Sequence, residues 1–159
     1  MSTDRFPISD SGFNKMKSEL EALKSVERPS VIISIAEARS HGDLSENAEY
    51  HAAKEKQGFI EAKISDLENK LARSQIVDIS KITGNTVKYG ATVEILDEDT
   101  EKQISYKIVS DYEADVSKGW ISISSPLAKS LTSKELGDSV EFTTPKYTKY
   151  YKIISVKYI

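Results

Sequence analysis

The sequence predicts an α+β protein in which a long antiparallel α-helical coiled-coil hairpin is followed by an antiparallel β-sheet domain with one short helix. Apolar residues recur every three or four positions as far as Ser74, which is the period of one helix face. Beyond Ser80 they alternate with polar residues, which is the period of a strand. The 159 residues suffice for two small domains. We therefore predict a coiled-coil domain over residues 1–78 and a sheet domain over residues 79–159.

The composition excludes several classes of function. The formal net charge is −3, from 22 basic and 25 acidic residues, so no bulk attraction to nucleic acid or anionic membrane is expected. The chain has no cysteine and no apolar run long enough to span a bilayer, and Met1–Asp4 shows no basic-then-apolar leader. We expect a cytoplasmic protein with no membrane partner.

The first predicted helix begins at the capping candidates Ser9–Ser11 and ends near Arg39. Its apolar residues are spaced by three, four and three positions, which places them on one narrow stripe, as in a coiled-coil seam. Pro29 should kink or restart the helix, because a mid-helix proline removes a backbone donor. The stripe before the proline consists of Phe13, Met16, Leu20 and Leu23.

A second helical pattern follows, and the two stripes mirror each other in sequence. Met16 and Leu71, like Leu23 and Ile64, have residue numbers that sum to 87. An antiparallel hairpin pairs positions of constant sum, so its tip should fall between Asp43 and Leu44. At about 1.5 Å per residue, such an arm would reach on the order of 40 Å.

The apolar seam thins toward the predicted tip. Lys54, Lys56 and Gln57 interrupt the apolar series of the second helix, and Ala36 and Ala52 are small. A dimerising coiled coil would sustain its apolar series to the end. We therefore expect a monomer whose distal arm suits a confined space.

The predicted tip, residues 41–47, carries Asp43 and Glu46 three positions apart. As the N-cap and third residue of the second helix, they would satisfy free backbone amides and lie on one side of its first turn. Alternatively, the two carboxylates serve another macromolecule's metal site, because Mg²⁺ is typically held by one or two carboxylates together with water and phosphate. The spacing alone leaves both interpretations open.

The chain's two histidines and a loose basic cluster flank the acidic pair. His41 and His51 have no cysteine beside them and match no zinc spacing, so we expect them to pack or hydrogen-bond where the hairpin turns. Arg39, Lys54 and Lys56 either meet a phosphate backbone or form a solvated charged face.

The second half of the chain reads as strands and one helix. Trp120 and the tyrosines could form a stacking platform for single-stranded nucleic acid, but alternating aromatic residues more commonly serve the core or surface of a sheet. The lysine-rich run after Glu141 gives a positive face whose partner cannot be read. The predicted strands are Thr92–Leu96, Gln103–Val109, Trp120–Ile123, Ser139–Thr143 and Tyr150–Val156, and a helix starts at Ser125-Pro126.

These residues resemble a known family. Ile35–Glu55 is closely similar to the tip of the bacterial Gre-type transcript cleavage factors, nearest to their GreA branch. The similarity continues through four shorter stretches and spans nearly the whole chain. It implies an N-terminal antiparallel coiled coil and a C-terminal domain similar to FKBP-type prolyl isomerases. The four stretches are Tyr89–Val93, Tyr106–Val109, Glu113–Asp115 and Ile121–Ala128.

The resemblance also implies a partner and a mechanism. In that family the C-terminal domain docks at the rim of the secondary channel of RNA polymerase, and the coiled coil enters the channel. Carboxylates matching Asp43 and Glu46 help to hold the polymerase's second Mg²⁺ and to position the attacking water. The polymerase itself then cuts the backtracked transcript near the nascent RNA 3′ end.

The same resemblance assigns supporting roles around the acidic pair. Asn47 and Tyr50 match positions beside it, and Arg39 and Lys54 match basic positions toward the extruded RNA. It implies no cofactor of the protein's own, only Mg²⁺ shared with the polymerase active site. We expect no nuclease activity from the protein alone, because the exposed tip offers too few ligands to bind Mg²⁺ usefully.

The chain departs from the family pattern in two places, and rival functions remain. Ser40 stands where an acidic residue is common, and Pro145–Tyr151 lacks the usual glycine-rich turn, which could alter the last hairpin. The rivals are a channel-binding inhibitor, a working prolyl isomerase and a coiled-coil adaptor. A denser acidic tip would favour the first, and an aromatic proline pocket, not recognisable around Trp120, would favour the second.

Overall fold

The computed structural model describes residues 4–159, which divide into two compact units. One unit contains residues 4–5 and 13–74, and the other contains residues 6–12 and 75–159. The expectation about a leader falls largely on residues 1–3, outside the described residues. The boundary at residues 78 and 79 stays a prediction.

The first unit is built from three helices. Helix α1 spans Asp10–Ala22, α2 spans Arg28–Arg39 and α3 spans Ala48–Arg73. Ser9 begins α1 as predicted, because its Oγ accepts a hydrogen bond from the Gly12 N–H at 2.9 Å. The 26 residues of α3 correspond to about 39 Å at the usual helical rise.

We predicted that Pro29 would kink or restart the first helix, and a separate α-helix, α2, does begin at Arg28 with Pro29 in its first turn. A π-helical turn at Leu23–Glu27 joins α1 to α2, and the Arg28 N–H bonds to the Leu23 carbonyl five residues back. Proline in the first turn of α2 lacks the N–H that an α-helix would use there. The wider π turn just before it accommodates this loss, so the chain stays helical from Asp10 to Arg39.

Helices α2 and α3 form the predicted antiparallel hairpin. The midpoint of the two residues that bound the turn, Arg39 and Ala48, lies between Asp43 and Leu44, as the mirrored stripes predicted. Val31, Ile60 and Ile64 form the buried seam, with Leu20 and Leu23 packed against it. Exposed ion pairs flank the seam and add little stability, so apolar burial holds the hairpin together. These pairs are Lys24–Glu68, Arg28–Glu61 and Glu19–Lys63.

The seam thins toward the turn, as predicted. On α2 the only buried side chain beyond Val31 is Ala38, and on α3 burial begins at Ile60. Hydrophobic stabilisation follows the apolar area removed from water, so it is concentrated in the half of the hairpin farther from the turn.

The second unit contains a five-stranded sheet of order β5-β4-β3-β7-β6. The pairs are antiparallel as predicted, except that β4 and β5 run parallel, so the sheet is mixed. Two three-residue strands that we had not predicted, β1 and β2, pair separately. The bounds are Phe6–Ile8 (β1), Ser74–Ile76 (β2), Thr92–Asp97 (β3), Gln103–Val109 (β4), Trp120–Ser122 (β5), Ser139–Thr143 (β6) and Thr148–Lys157 (β7).

Helix α4, Pro126–Leu131, packs on one face of this sheet. Ser125 caps it by accepting from the Ala128 N–H, and Pro126 occupies its first turn, as the sequence predicted. Alternate residues of the central strand β3, such as Val93 and Ile95, are buried against Ala128 and Leu131. Among the described residues, no helix is both long and apolar enough to cross a membrane.

The unusual Pro145–Tyr151 segment still forms a hairpin between β6 and β7. Thr144 holds its turn, because its N–H donates to the Tyr147 carbonyl at 2.8 Å and its Oγ1 accepts from the Lys146 and Tyr147 N–H groups. Threonine hydroxyls close turns in this way without glycine.

Glu113 lies at the centre of a half-buried hydrogen-bond cluster in the second unit. Its carboxylate accepts from the Ser9 N–H at 3.2 Å and hydroxyl at 2.6 Å, from the Tyr89 hydroxyl at 2.7 Å and from the Ser110 hydroxyl at 2.9 Å. Burial raises the pKa of Glu113, but these donors together outweigh burial and lower it below its usual value. Burial and the neighbouring carboxylate raise the pKa of Tyr89.

Candidate functional site at the hairpin tip

The loop between α2 and α3, residues 40–47, is named here the tip loop. The Ser40 N–H still bonds to the Ala36 and Glu37 carbonyls, and the His41 N–H bonds to the Ala38 carbonyl at 3.2 Å. Gly42 then turns the chain with a φ of +110°, a backbone conformation that glycine adopts without a Cβ penalty. The sequence therefore ends α2 by a graded loss of helical bonds followed by one glycine.

Asn47, not Asp43, caps helix α3, so our prediction that Asp43 begins the second helix was wrong. The Asn47 Oδ1 accepts from the Tyr50 N–H at 3.0 Å, and its Nδ2 donates to the Ala38 carbonyl at 2.5 Å. An amide can both accept and donate, whereas an ionised carboxylate can only accept. Asparagine therefore caps α3 and ties it to the last turn of α2 with one side chain.

Asp43 is exposed, and its carboxylate is held within the tip loop. Its Oδ1 accepts from both the Ser45 N–H at 3.0 Å and the Ser45 hydroxyl at 2.8 Å. The hydroxyl and then the amide of Ser45 lower the pKa of Asp43 below its usual value. Both bonds reach Oδ1, so Oδ2 receives no hydrogen bond from the described residues. These donors therefore favour the ionised form of Asp43 and leave one of its oxygens available.

Glu46 precedes the helix instead of lying on its first turn, contrary to the predicted capping arrangement. Its side chain is exposed and receives no hydrogen bond from the part of the chain that the structure describes. Asp43 and Glu46 nevertheless line the same open concavity, together with His41, Asn47, Ala48 and Glu49. The loop therefore presents two carboxylates to solvent on one surface.

A metal ion would need further ligands at this surface. Among the described residues, no group of three or more histidine, cysteine, aspartate or glutamate side chains could hold a metal ion. Two carboxylates still match what Mg²⁺ usually takes from protein, because water and phosphate oxygens fill the rest of its octahedral shell.

The two histidines make separate contacts, as predicted for residues that hydrogen-bond where the hairpin turns. The His41 Nδ1 lies 3.1 Å from Glu49 Oε2. The His51 Nε2 lies 3.2 Å from the Ser45 carbonyl oxygen, and the His51 ring meets Tyr50 edge-on at 5.6 Å between centroids. The structure thus brings His51 to the tip loop through Ser45.

The basic residues predicted near the tip are exposed. Lys54 Nζ donates to Gln57 Oε1 at 3.1 Å, on its own helix, while Arg39 lies in the last turn of α2 and Lys56 in α3. Tyr50 is only partly exposed. The roles that the resemblance assigns to Arg39, Asn47, Tyr50 and Lys54 stay predictions.

Sequence reasoning missed Ser45, although the sequence carries a signal for it. Three Asp-x-Ser stretches occur in which both the serine N–H and hydroxyl donate to the aspartate, a local turn that short polar side chains favour. Two of them, at Asp78 and Asp115, cap short 3₁₀ helices. At Asp43 no such helix follows, so the turn only shapes the tip loop.

The aromatic residues of the second unit serve mixed roles. Tyr89 and Tyr151 are buried, as expected for a sheet core, whereas Tyr150 is exposed. Trp120 lies partly exposed on edge strand β5, with the Lys107 and Lys118 ammonium groups 5.1 and 4.8 Å from its ring centroid. Such cation–π pairs are common surface features and do not by themselves define a stacking platform.

The segment with the helical hairpin and the segment with the mixed sheet each match a known protein family. Residues 6–76 match the family "Transcription elongation factor, N-terminal", and residues 82–158 match "Transcription elongation factor, GreA/GreB, C-term". Together these matches span almost the whole chain. The chain belongs to the GreA/GreB family.

Two curated GreA proteins are similar to this chain over nearly its whole length. Transcription elongation factor GreA of Caulobacter vibrioides (strain NA1000 / CB15N) is 53% identical over 156 residues, covering 98% of this chain and 99% of the relative. GreA of Rickettsia prowazekii (strain Madrid E) is 54% identical over 154 residues, covering 97% and 95%. The crystal structure of GreA factor homolog 1 of Thermus thermophilus matches with a TM-score of 0.45 and 25% identity, covering 96% and 99% of the two chains.

Proposed function

We propose that this protein binds bacterial RNA polymerase and stimulates the polymerase's own Mg²⁺-dependent cleavage of backtracked nascent RNA, which rescues arrested complexes. The observation that carries the proposal is the exposure of Asp43 and Glu46 on one concavity between two long helices. Membership of the GreA/GreB family supports it. We further propose that the protein acts as a monomer in the cytoplasm.

The residues that would contact the shared Mg²⁺ are Asp43, through its unbonded Oδ2, and Glu46. Their donor chemistry fits, because carboxylate oxygens are ligands that Mg²⁺ prefers. When bound in a two-metal site, Mg²⁺ supplies charge stabilisation for the attacking and leaving oxygens of phosphodiester cleavage. The remaining ligands would belong to the polymerase and its RNA.

The chain's own residues would supply negative charge and would orient the Asp43 carboxylate. The Ser45 donors hold Oδ1 of Asp43 and further favour its ionised form, so Asp43 would serve as a ligand and as an acceptor for the attacking water. Asn47 closes the hairpin behind the loop, which fixes where the loop begins and ends. Arg39 and Lys54 would face the phosphates of the extruded RNA, where positive charge is favourable.

The test adds the full-length protein to a stalled, backtracked elongation complex with Mg²⁺ and measures short 3′ RNA fragments. Asp43→Asn or Glu46→Gln should reduce fragment release by at least about 100-fold, as expected when a group acting on the transition state is lost, while polymerase binding survives. Asp78→Asn is the matched control, because Asp78 makes the same Asp-x-Ser turn within the second unit.

The outcomes separate the rival functions. Fragment release that persists in both tip variants would contradict the proposed role of the carboxylates. Inhibition of the polymerase without fragments would indicate a channel-blocking inhibitor. Asp78→Asn should stimulate transcript cleavage normally, because losing the Asp78 carboxylate disturbs only the 3₁₀ turn at Ile79–Lys81.

A further inference from the structure

The orientation of Asp43 depends on Ser45, and Ser45 is itself held from outside the tip loop. Ser45 directs its N–H and hydroxyl to Asp43 and its carbonyl to His51 Nε2, at 3.2 Å. A carbonyl can only accept, so His51 must carry its proton on Nε2 to make this bond. Ser45 is thereby fixed on both sides of its backbone.

The His51 contact acts on a peptide group that lies between the two carboxylates. The Ser45 carbonyl and the Glu46 N–H belong to one planar unit, so a bond to the carbonyl orients the start of Glu46 as well. His51 belongs to the first turn of α3. Its backbone N–H bonds to the Asn47 carbonyl at 3.1 Å. A side chain of the regular helix α3 therefore contacts the backbone of the exposed tip loop.

The hairpin does not need His51 in order to close. Asn47 caps α3 through the Tyr50 N–H and reaches the Ala38 carbonyl of α2 without any contribution from the His51 side chain. The His51 side chain is exposed, so little apolar burial depends on it. Its loss should leave both helices intact and change only the order of residues 43–46.

We propose that His51 is a positioning residue, which orients Asp43 and Glu46 by holding the peptide between Ser45 and Glu46. It does not touch the reacting atoms and acts through Ser45. This inference rests on the proposed function for its catalytic consequence. Its structural part, that His51 orders the Ser45 peptide, stands independently of RNA polymerase.

The first experiment uses the free full-length protein and measures hydrogen exchange at the Ser45 amide by NMR. His51→Ala should accelerate this exchange by about three- to tenfold, the range expected from one net hydrogen bond. His51→Gln keeps an N–H donor at similar reach and should restore most of the protection. His41→Ala is the matched control and should have no effect at Ser45, because His41 pairs with Glu49.

The Tyr50 amide reports on the helix cap in the same spectra. Its exchange should be unchanged in His51→Ala, since Asn47 supplies its acceptor. If Tyr50 exchanges faster as well, His51 supports the whole cap and the positioning role is overturned. Unchanged exchange at Ser45 in His51→Ala would also overturn it.

The second experiment measures transcript cleavage at saturating factor and the factor concentration that gives half the maximal rate. His51→Ala should lower the maximal rate by about three- to tenfold with no change in the half-saturating concentration, and His51→Gln should recover most of it. A normal maximal rate, or a change only in half-saturation, would overturn the inference. A wild-type protein that releases no fragments would overturn the proposed function, and the exchange data would then decide the structural part alone.

Discussion

Neutral donors lower the pKa of both Asp43 in the tip loop and Glu113 in the second unit, but the two carboxylates use their oxygens differently. Glu113 accepts from three residues on both oxygens and is half-buried, whereas Asp43 accepts from Ser45 on one oxygen and is exposed. A carboxylate that is saturated by its own protein stabilises the fold. One with an oxygen left over remains available to a partner.

The two regions also differ in how tightly they pack around a glycine with positive φ. Gly90, in the second unit, has a φ of +84°, and a Cβ placed there would collide with the Ile79 side chain. Gly42, in the tip loop, has a φ of +110°, and nothing lies within 4 Å of its would-be Cβ. Packing constrains the first position, and backbone conformation alone constrains the second.

The largest stability effect should therefore come from Gly90→Ala. Overpacking and an unfavourable φ together should lower the free energy of unfolding by about 3 kcal/mol. Gly42→Ala should cost only about 1 kcal/mol, from the backbone alone. Chemical denaturation of both variants checks the difference, and equal losses would show that the tip is packed as tightly as the second unit.

Glu113→Gln should have the next largest effect. The amide replaces an acceptor oxygen with a donor and leaves hydroxyl groups of the cluster without a partner, so we expect a loss of about 2 kcal/mol. Asp43→Asn, at an exposed site, should change stability by less than about 0.5 kcal/mol. Thermal unfolding followed by Trp120 fluorescence measures the effect of Glu113→Gln, because Trp120, the only tryptophan of the sequence, lies in the second unit together with Glu113.

The pH dependence of stability should be set by protonation of two carboxyl groups, that of Glu113 and that of the buried Asp97. The Lys149 ammonium, 2.7 Å away, together with the Asp99 and Thr100 backbone amides lowers the pKa of Asp97 to about 2. Both folded-state pKa values lie below their unfolded values of 4.5 and 3.8, so the stabilisation is fully present above about pH 4.5 and is lost as the pH falls below it.

Acid titration of Trp120 fluorescence tests this origin of the pH dependence. Glu113→Gln should make stability less dependent on pH below about pH 4.5, because the variant has no carboxyl to protonate at that site. Identical profiles for Glu113→Gln and wild type would show that the cluster does not govern acid unfolding.

The features that the sequence predicted correctly are those marked by a periodic pattern of apolar residues. The mirrored stripes located the hairpin tip between Asp43 and Leu44, and alternation located β4 and β6 to the residue. Strands β1 and β2 were missed because three residues are too few to establish an alternating pattern. The GreA/GreB resemblance was confirmed by matches over almost the whole chain.

The details that the sequence did not predict depend on contacts that form only in the folded chain. Both Asp43 and Asn47 are good N-cap residues, and only the need to donate to Ala38 distinguishes them. The Ser9–Glu113 bonds join residues 104 positions apart, which no local pattern reveals. Ser45 and His51 have roles only because the tip loop folds back on the first turn of α3.

The most direct test of the central claim is a Mg²⁺ titration of transcript cleavage in backtracked complexes. If Asp43 and Glu46 help to hold the second ion, wild-type protein should lower the half-saturating Mg²⁺ concentration by about tenfold relative to polymerase alone, a difference of about 1.4 kcal/mol. Asp43→Asn should leave that concentration at the value for polymerase alone, and Asp78→Asn should behave as wild type. An equal shift produced by Asp43→Asn would contradict the account.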